Sequence, residues 1–200
     1  MRVVIPIFFD YSSTLCYIAW RITAQLRSEL PIDPLWKGVP ITMRNKRVHA
    51  GMSISESDLF KVRSVAAETG IAVEPPSRWL DSGAALQGAE LARRAGAFDS
   101  YHEAVFRAAF EHRLDIGKLE LLQQIAERAG MDPVAFAAEI EGGSMAAQIA
   151  ENKREADEFS AIGYPTFLLG DFPLIGIQPI DTMRLLFERF ITLRTQEPGA

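Results

Sequence analysis

The feature that most restricts this chain lies at its start. Val3 to Phe9 is an unbroken apolar run, and it passes through Asp10-Tyr11-Ser12-Ser13 directly into a helical pattern beginning at Thr14. An apolar run without alternation is what a strand covered on both faces requires. Strand, short loop and helix in that order open an α/β unit. The loop sets a helix N-terminus at Ser13, where unpaired backbone N–H groups and the positive end of the helix dipole favour an anion. The same residues also fit a purely structural role, Ser12 or Ser13 serving only as the N-cap. Pro6 cannot donate to a ladder, so pairing of this strand is expected to start late or to lack one bond.

The rest of the pattern follows from periodicity and punctuation. Tyr17, Ile18, Ile22 and Leu26 mark one face of a helix over Thr14 to Leu30, ended by Pro31 and Pro34. A second strand is predicted within Pro34 to Thr42, and Met43 to Met52 is polar and loop-like. Ser55 with Asp58 three residues on resembles a capping box, and Leu59, Val62 and Ala66 carry a stripe that closes at Gly70. From Ser82 to Ser160 the pattern is almost wholly helical, with breaks at Gly96, Gly117, Gly130 and Gly142-Gly143. Within it Leu119, Leu122, Ile125 and Ala129 form a stripe, and Asp132-Pro133 is an N-cap followed by proline at the first helical position. Two apolar runs around the turn Gly170-Asp171-Phe172-Pro173 then predict an antiparallel hairpin. Pro179 opens a last helix over Ile180 to Arg194, with Met183, Leu186, Phe187 and Phe190 on one face; Thr195 to Ala200 is expected to be a loose tail. The predicted organisation is one domain over residues 1–200 carrying a helical insertion at approximately 53–160. A chain of 200 residues is long enough for this, since a domain near that size buries roughly 70% of its unfolded surface.

The 26 acidic residues outnumber the 21 Lys and Arg, giving a net charge of −5, which argues against a nucleic-acid footprint. The short basic run Arg44-Asn45-Lys46-Arg47 reads either as a solvated loop or as a phosphate or carboxylate contact. Cys16 is the single cysteine, so an intramolecular disulfide framework is excluded and a reducing compartment fits. Met1 to Phe9 is too short for a signal peptide, and no run approaches the roughly 18 apolar residues of a membrane span. A soluble, cytoplasmic protein without a membrane or nucleic-acid partner is expected. His49, His102 and His112 have no metal-ligand spacing with Cys16 or the carboxylates, so no metal site is predicted.

Three motifs carry a resemblance: Asp10-Tyr11-Ser12-Ser13-Thr14-Leu15-Cys16-Tyr17-Ile18-Ala19, Gly163-Tyr164-Pro165-Thr166-Phe167 and Gly176-Ile177-Gln178-Pro179. In this order, with a helical block between, they resemble the thioredoxin fold with a DsbA-type insertion, an α/β class. The oxidoreductases of that superfamily carry Cys-x-x-Cys where this chain has Ser13-Thr14-Leu15-Cys16, so dithiol exchange lacks its nucleophile. A serine at the first position is similar instead to 2-hydroxychromene-2-carboxylate isomerase and the kappa-class glutathione transferases, with DsbA-like oxidoreductases as near relatives. Asp10, Ser13, Tyr17 and Ala19 match that loop, while Thr14 replaces a proline and Cys16 a small polar residue.

The resemblance implies that the Ser13 hydroxyl holds the sulfur of glutathione as a thiolate, which adds to a small electrophile. Lowering a thiol by about two pKa units requires roughly 2.7 kcal/mol of thiolate stabilisation. A charge-assisted hydrogen bond contributes on the order of 1.5 to 3 kcal/mol, and a helix start adds about 0.3 to 1. One serine at a helix start is therefore sufficient. The resemblance further implies a cis peptide at Pro165, with Tyr164 offering backbone groups to the tripeptide by strand addition. Gln178 and Asp181 are candidates for the γ-glutamyl end, although Asp181 is equally explained by the helix dipole. Trp36, Arg44, Asn45 and Trp79 are candidates to line a pocket or to pack; Asp99, Glu103 and Glu111 read as solvated helix faces. A homodimer is compatible with the resemblance. Two rivals remain, a redox protein using Cys16 and a non-catalytic binding module, because function lives in the site rather than in the fold.

Overall fold

The computed structural model describes residues 2–44 and 47–196. Its sheet has four strands in the order β2-β1-β3-β4. Strand β1 (Val3–Phe9) runs parallel to β2 (Ile32–Gly38) and antiparallel to β3 (Thr166–Leu169), which turns back into β4 (Phe172–Ile175). The expectation of a strand covered on both faces holds only for its second half: Ile7, Phe8 and Phe9 have no exposed surface, whereas the first half alternates, with Ile5 buried and Val4 51% exposed.

Pro6 is accommodated differently from expectation. Pairing with β2 starts on time, at Val3 opposite Ile32, and runs through Phe9 opposite Gly38. The bonds Val3 N to Pro31 O and Val39 N to Phe9 O show that odd-numbered residues of β1 face β2. The missing N–H of Pro6 therefore faces β3, and the β1–β3 ladder consists of Ile7 and Phe8 only. The second strand is also shifted from the expected Pro34 to Thr42. It begins at Ile32 and ends at Gly38, and residues 41–44 form the short helix α2 (Ile41–Arg44). Pro34 is tolerated because it alternates to the free edge of the sheet.

Helix α1 (Thr14–Glu29) is capped by Ser13 and ends at Leu30, before Pro31. Helix α3 (Glu56–Thr69) begins as its capping signal predicts, with the Ser55 hydroxyl accepting from Asp58 N, and closes at Gly70 with φ of 70°. The helices α4 (Gly83–Arg94), α5 (Phe98–Phe110), α6 (Leu119–Arg128), α7 (Pro133–Glu141) and α8 (Ala146–Glu158) follow before β3. Asp132 caps α7 through Val134 N and Ala135 N, with Pro133 at the first position. At Gly88 a side chain would collide with the Tyr101 hydroxyl and the Phe136 ring, so this glycine lets α4 approach α5 and α7 closely.

A polar bridge ties the helices to the sheet: the Asn152 amide donates to Gly38 O and to Glu90 Oε1, each at 3.1 Å, and Arg93 donates to Trp36 O. The hairpin is tighter than predicted, because Phe172 and Pro173 pair with Leu169 and Leu168 and leave Gly170-Asp171 as the turn. Helix α9 (Ile180–Gln196) packs Met183, Phe187 and Phe190 inward and takes in Thr195 and Gln196 from the predicted tail; 197–200 lie outside the described residues.

Candidate functional site

The three motifs meet at the C-terminal end of β1. The register pairs Ile7 with Phe167 and Phe8 with Thr166, so Pro165 directly precedes the residue paired near the end of β1. The Tyr164–Pro165 peptide is cis. Thr166 Oγ1 donates to Gly163 O at 2.6 Å and Gly176 N donates to Pro165 O at 2.8 Å, so the segment is fixed at both ends.

Ser13 is an extended N-cap whose Oγ accepts from Cys16 N at 3.4 Å. Ser13 as a residue is 8% exposed, whereas Cys16 one turn later is fully buried. Burial pushes the Cys16 thiol up to about 12, only partly opposed by the Ser13 hydroxyl and the backbone at Asp10. Tyr17 leads away from the loop and donates its hydroxyl to Glu111 Oε1 at 3.0 Å. Glu111, Asp99 and Glu103 are all exposed, as expected, and Glu111 links α1 to the end of α5 through Tyr17, while Asp99 and Glu103 pair with Arg27 and Arg107.

Asp10 is the centre of the loop's order. It has no exposed surface, and its two carboxylate oxygens accept from Ser12 N at 2.8 Å and Ile41 N at 2.5 Å. Burial raises the pKa of this carboxyl, opposed by the Ser12 N–H, the Ser82 hydroxyl and the Ile41 N–H. One side chain therefore joins the loop, α2 and the start of α4. The sequence identifies Asp10 as part of a motif but gives no sign of this junction, because Ile41 and Ser82 are remote along the chain. Tyr11 turns the other way, into the helices, where its hydroxyl lies 2.8 Å from His102 Nδ1.

A recess of about 200 Å³ adjoins Ser12 and is walled mainly by Ile41, Met43, Trp79 and Leu80. The Ser12 side chain is buried there, beside the Asp10 carboxylate. Of the four pocket candidates, Trp79 is placed here and Trp36 lines a different recess; Asn45 and Lys46 lie outside the described residues, and Arg44 ends α2. Gln178 and Asp181 stand exposed at the approach to α9, and neither side chain makes a hydrogen bond or ion pair among the described residues. The same residues contain no cluster of three His, Cys, Asp or Glu side chains able to hold a metal, and no helix long and apolar enough to cross a membrane.

A strand, a capped loop and a helix, with a cis proline beside the loop and a helical insertion before β3, define a thioredoxin-fold protein of the DsbA type. The chain belongs to the DsbA-like thioredoxin domain family, whose model matches residues 4–188. It is 22% identical over 200 residues to protein YwbO of Bacillus subtilis (strain 168), covering 96% of this chain and 97% of that protein. Among solved structures it is similar to 2-hydroxychromene-2-carboxylate isomerase, with a TM-score of 0.78, 20% identity and 97% of each chain covered. It is also similar to the cytosolic disulfide reductase DsbM of Pseudomonas aeruginosa, solved with GSH: TM-score 0.68, 17% identity, with 97% and 98% of the two chains covered. At these identities the structural likeness establishes the fold; the chemistry rests on the site.

Proposed function

We propose that this protein is a glutathione-dependent isomerase or transferase. The observation that carries the proposal is the division of labour between Ser13 and Cys16. The serine caps α1 at the loop's mouth, while the thiol is sealed one turn below it. In this reading the thiolate of glutathione sits at the helix start, accepts a hydrogen bond from the Ser13 hydroxyl, and adds to a small aromatic or unsaturated electrophile. Tyr164 and Pro165 dock the tripeptide, Gln178 and Asp181 face its γ-glutamyl end, and the recess beside Ser12 receives the electrophile. Asp10 positions the loop and does not touch the reacting atoms.

The likeness to an isomerase and to a reductase solved with GSH supports this reading without choosing between their chemistries. A redox role for Cys16 is opposed by its burial. With its pKa pushed up to about 12, the thiol stays protonated at neutral pH. Calorimetric titration with glutathione, followed by a thiol-conjugation assay, decides between them. Wild type and Cys16→Ser are expected to bind and conjugate alike, and Ser13→Ala to lose conjugation. Loss of activity in Cys16→Ser with retention in Ser13→Ala would establish the redox alternative. Absence of glutathione binding in wild type would leave a non-catalytic binding module.

A further inference from the structure

Leu80, on the segment that crosses from α3 to α4, belongs to the walls of two recesses. One is the recess beside Ser12; the other, of about 370 Å³, lies against the C-terminal end of α5. Pro75 and Pro76 of the same segment, Ala109 of α5 and Leu114 complete its apolar wall. Leu114 is 44% exposed, so this wall is open to solvent.

The polar side chains of this recess are Glu74, Ser77 and Arg113. The Glu74 carboxylate is already matched, accepting from Arg63 at 2.8 Å. Of the acids beside Arg113 in sequence, Glu111 is engaged by Tyr17 and Arg107, and Asp115 Oδ1 accepts from Gly117 N at 3.1 Å. Arg113 itself is exposed, and its guanidinium makes no hydrogen bond or ion pair among the described residues.

The backbone at Arg113 is a second observation. Its φ is 55°, whereas at the ends of α3, α4, α6 and α7 glycine takes the positive φ. That conformation disfavours a side chain, because Cβ comes too close to the following carbonyl oxygen. The turn is used, since Leu114 N donates to Ala108 O at 2.8 Å across it, but it does not require an arginine. A cation held where glycine is easier, without a protein partner and on the wall of an open apolar recess, has the arrangement of an anion-binding group.

The ligand follows from one cation and a largely apolar wall. A guanidinium matches a planar carboxylate through two parallel N–H···O bonds, whereas a doubly charged phosphate would call for a further cation that the described residues of the wall do not supply. The volume exceeds the roughly 150 Å³ of an apolar cavity that holds benzene, which leaves room for a ring on a short chain. We propose that this recess binds a small monocarboxylate with an apolar body, its carboxylate paired with Arg113 and its body packed on Pro75, Pro76, Leu80 and Leu114. The Ser77 hydroxyl lies on the same wall as a second polar contact. The site does not depend on the glutathione chemistry assigned to Ser13.

The test uses hydrocinnamate as probe and hydrocinnamamide as its uncharged isostere, followed by calorimetry and by NMR of the methyl groups and the arginine Nε–H signals. The acid is expected to bind wild type saturably, to shift the Leu80, Ala109 and Leu114 methyls and the Arg113 Nε–H, and to bind about tenfold more tightly than the amide, the margin of one hydrogen-bonded charge. Arg113→Gln is expected to remove that preference and keep the fold. Arg113→Gly is expected to remove it as well and to unfold at no lower a denaturant concentration, since glycine holds a positive φ more easily. Ser13→Ala is expected to bind both probes as wild type does. The proposal is overturned if acid and amide bind equally, if Arg113→Gln keeps the preference, if the shifts gather on Met43 and Trp79 of the other recess, or if wild type shows no saturable binding. A loss of stability in Arg113→Gly would overturn it too, by assigning the arginine to the fold.

Discussion

The two halves of helix α1 treat buried polarity in opposite ways. At its start, Asp10 gathers the backbone donors of the loop and α2, and Ser13 accepts from the first turn. In its second half, Thr23 is buried with an unused hydroxyl, near a histidine whose Nε2 is equally unused. The comparison teaches that a polar group in a core is informative through its partners rather than its presence. The first arrangement holds a loop in one shape and leaves a helix dipole facing out, which suits an anion. The second seals its polar atoms among aromatic rings, where they have neither a partner among the described residues nor accessible surface.

Breaking the first half should have the largest effect. Asp10→Ala removes the acceptor of two buried N–H groups, each worth about 1 to 3 kcal/mol when orphaned. A loss of about 3 kcal/mol in denaturant unfolding is expected, with loss of glutathione binding. A loss below about 1 kcal/mol would show that the junction is dispensable. Next in size is Ser13→Ala. If the hydroxyl lowers the bound thiol by about two units, the conjugation rate at neutral pH falls about a hundredfold and the rising limb of its pH profile moves up toward the free thiol near 8.5. An unmoved pH profile would remove Ser13 from the chemistry.

Acid titration separates the halves by sign. His102 is held neutral, its pKa well below the usual 6.5. The unfolded chain therefore binds the extra proton first, and stability contributed by the neutral ring is present above about 6.5 and is lost as pH falls below it. Asp10 acts in the reverse sense. Its carboxyl is raised, so the folded state holds the proton longer, and its contribution declines as pH rises from about 4 through the raised value. Unfolding followed across the acid range should show both slopes, the first flattened in a His102 variant and the second in Asp10→Asn.

The smallest effects sharpen the same contrast. Thr23→Val replaces an unpartnered hydroxyl by a methyl of the same shape, so stability is expected to change by less than about 1 kcal/mol, and upward. Cys16→Ser should leave conjugation within about twofold, and alkylation of Cys16 in wild type should require denaturant. Rapid labelling of the native protein would contradict its burial.

Local signals were legible wherever the chemistry is local. Ser55 with Gly70, Asp132 with Pro133, and Ser13 itself begin or end helices as their residue types dictate, because a cap is satisfied within three or four residues. The strand limits at Ile32 and Gly38 and the two-residue turn Gly170-Asp171 were misjudged, since a proline's cost depends on which neighbour its missing donor faces. That neighbour is set by sheet order.

The sequence alone determined the strand, loop and helix at the start, the capped helices of the insertion, the serine at the position of a nucleophilic cysteine and the motif around Pro165. The strand, the loop and the capped helices follow from backbone preferences and hydrophobic period, which short stretches of chain express by themselves; the serine at a nucleophile's position and the motif around Pro165 were legible only through the resemblance to a known fold. Only the tertiary structure decided that Cys16 is sealed and shifted to about 12, that Asp10 joins three segments, that Tyr11 meets a histidine 91 residues away, and that Trp36 and Trp79 serve different recesses. Each depends on desolvation or on a partner brought close by folding, and neither is encoded in the spacing of residues along the chain.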